Sequence, residues 1–381
     1  MKYYFDNAAT TPLRPEVIAS IAEVLTEDYG NPSSTHAFGR KARARIETAR
    51  KSVARLLGAQ AQEIIFTSCG TESNNTVLQT AFRDLSIKRI ISSPIEHHAV
   101  LHVLDDLKLK GCTIDYVQID SQGQVELSHL EELLSASDEK TLVSLMHINN
   151  EIGSILDLYA AGSLCREYGA LFHTDAVQGV GHYSYDLNNT PVDFLTASAH
   201  KFHGPKGIGF TYIRNKENLH GLLLGGSQER GLRAGTESVH NIVGLQVALE
   251  ICMERLEEER NYVRELKSFF VNQLRQHFPE IHFNGCCDDM ERATYTLVNC
   301  CLPLSEAQAQ MLEFQLDLKG VACSKGSACQ SGSGGGSHVI QHLYPENPPS
   351  SAIRFSFSPL NTVEEVESLV DILCEISLKP S

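Results

Sequence analysis

From about residue 15 to residue 215 the chain alternates amphipathic helical stretches with short apolar runs. No other feature narrows its fold as much. Pro15 opens a helix whose apolar positions Val17, Ile18, Ile21, Val24 and Leu25 share one face. A second helix carries Ala42, Ile46, Ala49, Val53 and Leu56 and stops at Gly58. EIIFTS, RIISS, TIDYVQI, TLVSLMHI, LFHTDA, DFLTASAH and GIGFTYI follow as short apolar strands, most of them separated by helical crossovers. Such alternation reads as a mostly parallel sheet with helices on both faces, an α/β domain.

Beyond it, Glu237 to Phe278 reads as helix without a strong breaker, a bridge to a second unit. The remainder has α+β character, with strand ATYTLVNCCL, helix SEAQAQMLEFQLDLKG, strand AIRFSFS and a last helix opened by a Thr362–Glu365 capping box. The expected division is a large α/β domain over residues 15–255 and a small α+β domain over 1–14 and 256–381. The small domain carries CSKGSACQSGSGGGSH, residues 323–338, which sets Cys329 in a Gly/Ser run that can neither pack a core nor hold a helix.

Composition removes several function classes. No apolar run approaches the ~20 residues that span a bilayer. The start, MKYYFDNAATTP, has neither a signal-peptide core nor an Arg-rich presequence, so the expected location is cytoplasmic, with no membrane role. A formal charge of −15 argues against direct nucleic-acid binding and fits attraction to basic partner surfaces. The eleven cysteines contain no CxxC pair, which leaves zinc-ribbon and thioredoxin-like readings without support. Cys286–Cys287 and Cys300–Cys301 read as structural pairs whose members point apart on strands.

In open α/β sheets, ligands gather at the carboxyl ends of strands, and this chain puts its polar residues there. EIIFTS runs into Gly70 and Thr71 at a strand-to-helix turn suited to a phosphate. LFHTDA ends at Asp175, with Gln178 one turn later; DFLTASAH ends with His200 and then Lys201. RIISSPIE precedes His97, and TLVSLMHI precedes Asn149 and Asn150. A phosphate nest, a carboxylate, a lysine, an imidazole and an amide together suit pyridoxal 5′-phosphate: the lysine for a Schiff base, the carboxylate for the pyridine nitrogen, the helix start for the phosphate. No metal-ligand spacing links His147, His173 or His203 to a partner, so packing or hydrogen bonding is expected for them. His98 is likewise read as structural.

The motifs DNAATTP, GNPSSTHAFGR, EIIFTS–GTES, IEHHAV, MHINNEIG, HTDAVQ, SAHKFHGPKG, RAGTE, GSAC and IRFS run nearly end to end. With them the chain closely resembles the cysteine desulfurases of the class V aminotransferase superfamily, in the iron–sulfur cluster assembly group with a long cysteine loop. The resemblance implies the fold-type I architecture of pyridoxal-phosphate-dependent transferases and a homodimer. It also implies that L-cysteine yields alanine and a persulfide for a sulfur-acceptor protein, such as an iron–sulfur scaffold. By position it makes Lys201 the Schiff-base lysine, Asp175 the partner of the pyridine nitrogen, Gln178 the ligand of the ring hydroxyl and His97 the ring-stacking histidine. Gly70, Thr71, Ser198 and His200 match phosphate positions, and Thr236 matches one given by the other subunit. Asn150, also counted with the cofactor-binding set, and Arg354 match the carboxylate-binding pair; Cys329 matches the persulfide-forming nucleophile. No resident metal is implied, although a transient iron–sulfur cluster on the Cys329 persulfide stays open.

Departures from the family pattern are Cys69 in place of a usual Gly, the extra thiol Cys323, read as a buried strand-end residue, and Lys325 near Cys329. The alternatives carried forward are a selenocysteine lyase and a partner-controlled, cofactor-binding sulfur-trafficking scaffold. The S-x-x-K match at Ser198–Lys201 lacks the S-D-N and K-T-G companions of penicillin-recognising enzymes. The Gly run at 332–337 lacks a dinucleotide fingerprint.

Overall fold

The computed structural model describes residues 2–326 and 336–378. The chain begins with β1 (Tyr3–Tyr4), α1 (Pro15–Glu27), α2 (Ala37–Leu56), β2 (Ile64–Thr67), α3 (Gly70–Asp84), β3 (Arg89–Ser92), α4 (His98–Leu109) and β4 (Thr113–Tyr116). It continues through α5 (Leu127–Ser135), β5 (Thr141–Ser144), α6 (Leu158–Glu167), β6 (Leu171–Asp175), β7 (Phe194–Ser198), β8 (Gly209–Ile213) and α7 (Val239–Glu254). Then come α8 (Leu256–His277), β9 (His282–Phe283), β10 (Leu297–Cys301), α9 (Glu306–Leu318), β11 (Val321–Ala322), α10 (His338–Leu343), β12 (Ala352–Ser356) and α11 (Val363–Leu378).

Seven strands form the main sheet in the order β2-β8-β7-β6-β5-β3-β4. β8 is antiparallel to both its neighbours and the others run one way. The expectation of a mostly parallel sheet holds, and β8 departs from it for a physical reason. Only a tight turn and a short loop separate β7 from β8, too little for the helical crossover that a parallel return needs. The parallel strands therefore deliver their carboxyl ends, Thr67, Ser92, Ser144, Asp175 and Ser198, to one edge.

A three-stranded antiparallel sheet, β12-β10-β9, packs on α8, α9 and α11. The Phe270 ring meets those of Phe355 and Phe357 at 5.3 and 5.5 Å between centroids. β1 pairs in parallel with β11, Tyr3 opposite Val321, so the first residues of the chain lie beside its last third.

Two readings need correction. The helical stretch from Glu237 to Phe278 breaks at Arg255 (φ −100°, ψ 11°). The break lets α7 bury Ile242, Val243 and Leu245 against the main sheet while α8 buries Val263, Leu266 and Phe270 against the smaller one. Cys286 and Cys287 lie in a turn after β9, not on a strand, although both are buried. Cys300 and Cys301 do sit on β10 and enter two different apolar clusters, as alternation on a strand requires. The Thr362–Glu365 capping box is present in both directions.

Glu229 and Arg230 hold positive φ angles of 45° and 58°, a strained conformation for residues with side chains. Glu229 is pinned there: its carboxylate accepts Arg50 at 2.7 and 2.8 Å and the Phe66 N–H at 2.8 Å. Glu229→Ala, which leaves the buried Arg50 guanidinium with Glu47, 42% exposed, and the Ile64 carbonyl, is expected to cost about 3 kcal/mol in urea unfolding. A loss below about 1 kcal/mol, the size of a surface pair, would contradict this reading.

Candidate active site

The strand ends open into a cleft of about 790 Å³, measured to its solvent mouth. Gly70, Thr71, His97, Asn150, Asp175, Gln178, Ser198, His200, Lys201 and Arg354 all line it. Thr236 does not: it is exposed, outside the cleft of the single chain. Cys329 lies outside the described residues.

At one end of the cleft α3 begins at Gly70, where the first N–H groups of a helix lack intrahelical acceptors. A Cβ on Gly70 would stand 2.7 Å from Val177 Cγ2, so glycine is what lets the helix start approach the Asp175 turn. Ser198 Oγ is buried nearby with no partner among the described residues. Cys69, which replaces a usual Gly, has φ −176° and ψ 174°, an extended backbone that any residue adopts. A donor-rich cradle with an orphaned hydroxyl fits a phosphate.

Asp175 closes β6 and is held from two sides. Oδ2 accepts Asn74 Nδ2 at 2.7 Å, and Oδ1 accepts the Val177 N–H at 3.0 Å. Asn74 was missed in the sequence, yet it lies one turn after Gly70 on α3 and so faces the same way. Lys201 follows β7 in a single 3-10 turn, Ala199–Lys201, and donates Nζ to the carbonyls of Ala8 and Ala9 at 2.7 and 2.8 Å. Gln178 Nε2 donates to the same Ala8 oxygen at 2.9 Å. The DNAATTP segment thus forms part of the cleft wall, a role its sequence position did not reveal. Thr11 fastens it, its N–H donating to His200 O at 2.9 Å while its hydroxyl accepts the His203 N–H at 2.7 Å.

His97 caps α4, its Nδ1 accepting the Ala99 N–H at 3.0 Å. The proton of the neutral ring therefore sits on Nε2. Burial lowers its pKa, outweighing the Asp175 charge that would raise it, with Lys201 adding to the depression. His200 is pushed down to about 4 by burial and by Lys201 and Lys206. His98 does not line the cleft and stacks on His102 at 4.9 Å between centroids.

Arg354, on β12, is 1% exposed. Nη1 donates to Asn150 O at 2.7 Å and Nη2 to Asp6 Oδ1 at 2.9 Å, while buried Nε has no partner among the described residues. The neighbouring Asn149 is spent on its own turn, accepting the Glu151 and Ile152 N–H groups. No cluster able to hold a metal occurs among the described residues.

His147, His173 and His203 are buried and hydrogen-bonded. His147 Nδ1 meets the Tyr185 hydroxyl at 2.6 Å, His173 lies between Ser144 and Thr196, and His203 Nδ1 meets Pro12 O at 2.8 Å. Burial pushes His173 down to about 3 and His147 and His203 to about 4. Unfolded, each returns to about 6.5. Between these values the unfolded chain binds more protons, so stability present above pH ~6.5 is lost as pH falls toward ~4. The urea midpoint is expected to drop across that window; a midpoint constant or rising down to pH ~4 would contradict it.

The Aminotransferase class-V family pattern matches residues 3–369. "Cysteine desulfurase IscS" of Dictyoglomus turgidum is 40% identical over 373 residues, covering 97% of this chain and 93% of that protein. Among solved structures, "NIFS-like protein" superposes with a TM-score of 0.88 at 37% identity, covering 99% of both chains. "SspA in complex with cysteine" does so with a TM-score of 0.82 at 29% identity, covering 94% of this chain and 100% of that one. The chain therefore belongs to the class V aminotransferase family, and the relatives it matches along nearly its whole length are cysteine desulfurases.

Proposed function

We propose that the chain is a pyridoxal-phosphate-dependent cysteine desulfurase that turns L-cysteine into L-alanine and leaves the sulfur as a persulfide on Cys329. The observation that carries this reading is the convergence, in one cleft, of Lys201, Asp175 and His97 with a helix N-terminus and the buried Arg354. Bound there, the cofactor supplies an aldehyde that condenses with the substrate amine and a ring that takes up the electrons of its Cα–H bond.

The chain's own residues do the rest. Thr71, Ser198, His200 and the first α3 N–H groups hold the phosphate, with Thr236 added from a second copy of a homodimer. Asp175, fixed by Asn74 and Val177, would keep a proton on the pyridine nitrogen of the bound cofactor, Gln178 would donate to its ring hydroxyl, and His97 would stack on its ring. Lys201 moves the proton at the substrate Cα, its amine passing from the Ala8 and Ala9 carbonyls to the reacting carbon. Arg354 and Asn150 hold the substrate carboxylate, with Arg354 Nε, which has no partner among the described residues, as a donor to it. The Cys329 thiolate then attacks the substrate sulfur: an S–S bond forms, the C–S bond breaks, and the carbon keeps the electron pair and takes a proton on its way to alanine.

Cys323 is a poor substitute nucleophile, because burial at the end of β11 pushes its thiol pKa up. The division into residues 15–255 and 1–14 with 256–381 places the cleft between two domains, and a cytoplasmic enzyme serving iron–sulfur assembly or thiolation completes the reading. No helix among the described residues is long and apolar enough to cross a membrane. Purified protein given L-cysteine and a thiol should release alanine and sulfide in equal amounts. Alanine from selenocysteine alone would replace this reading with a selenocysteine lyase.

A further inference from the structure

Arg354 is built into a larger hydrogen-bonded unit. One oxygen, Asp6 Oδ1, accepts both Arg354 Nη2 at 2.9 Å and Ser324 Oγ at 2.9 Å. Ser324 and Arg354 also pair through their backbones, at 3.2 Å in one direction and 2.7 Å in the other. Asp6 is itself fixed from outside this unit: its backbone bridges to Ser356 on β12, and its carbonyl accepts the Tyr4 hydroxyl at 3.3 Å. Ser324 stands five residues before Cys329 in the chain.

We propose that Asp6 is a positioning residue that aims the Arg354 fork at a substrate α-carboxylate and ties that fork to the stem from which the Cys329 segment departs. The proposal rests on the desulfurase reading of the cleft. A guanidinium that is 1% exposed needs a counter-charge, and Asp6 is its ion-pair partner among the described residues. With Nη1 on Asn150 O and Nη2 on Asp6, the planar group is held at two corners, and Nε is left for the incoming carboxylate. Asp6 is not among the residues that line the cleft. It acts through Arg354 on one side and through Ser324 on the other.

The test uses holoenzyme and four readouts: KM and kcat for L-cysteine, the Kd of L-alanine from the cofactor's visible absorption, cofactor content, and the thermal midpoint. L-Alanine carries the carboxylate without a sulfur, so its Kd reports the fork alone. Asp6→Ala is expected to raise that Kd and KM roughly tenfold, the scale of one charge-assisted hydrogen bond, with cofactor content unchanged. Asp6→Asn, which keeps an oxygen acceptor but not the charge, should recover part of the loss. Ser324→Ala should leave the L-alanine Kd in place and lower kcat for cysteine. Unchanged Kd and KM in Asp6→Ala would overturn the proposal. So would equal losses of kcat, cofactor and thermal midpoint in both Asp6 variants, the mark of a merely structural role. Those outcomes leave wild-type turnover intact; a wild-type protein that neither turns over cysteine nor responds to L-alanine overturns the desulfurase reading, and this proposal with it.

Discussion

Lys201→Ala is expected to form no measurable alanine from L-cysteine while it folds as the wild type does. The loss should reach at least about 10²–10⁴-fold, the range contributed by a positioned group that moves a proton in the transition state. Folding should survive because the turn is held by its backbone: the Phe202 and Gly204 N–H groups both donate to Ala199 O, at 3.1 and 2.9 Å. The lysine amine contributes hydrogen bonds to Ala8 and Ala9, and the N-terminal segment is also held by Thr11, which bonds His200 O and the His203 N–H. Steady-state alanine release, read beside the thermal midpoint, checks this. Retention of a tenth or more of wild-type activity would assign the proton transfer to another group.

Cys329→Ser should separate binding from sulfur transfer. The variant is expected to keep its spectral response to L-alanine and to lose persulfide formation by orders of magnitude, as removal of a covalent nucleophile does elsewhere. The other thiols offer little rescue. Burial raises the pKa of Cys287, Cys300 and Cys323, which disfavours the reactive thiolate. The Lys325 amine donates to Ala309 O at 2.7 Å. Cys69 is the competitor to watch, since it lines the cleft and is only half-buried. Mass spectrometry of the protein after one turnover decides the matter: sulfur on Cys329 supports the account, and sulfur on Cys69 in the Cys329→Ser variant would contradict it.

The sheet and its strand-end residues were legible because both depend on local pattern. Short apolar runs separated by helices leave few options, and polar residues that end such runs fall on one edge of the sheet. The direction of β8 was not legible, since an apolar strand looks the same either way; only the short return from β7 decides it. The break at Arg255 carries no Pro or Gly and comes from two cores pulling α7 and α8 apart. Asp6, Ala8 and Ala9 escaped notice as parts of the site because their partners lie far along the chain, at Lys201, Ser324 and Arg354. Asn74 could have been found from its helical spacing to Gly70. Thr236 is exposed, outside the cleft of the single chain, and its proposed role calls for a second copy.

The most direct test of the central claim is the visible absorption spectrum of the purified protein before and after L-cysteine, with alanine assayed in the same sample. The account predicts a cofactor band that shifts on addition of cysteine as alanine appears, with both responses lost in Lys201→Ala. A protein that shows no such band even after incubation with pyridoxal phosphate, or whose band and alanine yield survive in Lys201→Ala, would contradict it.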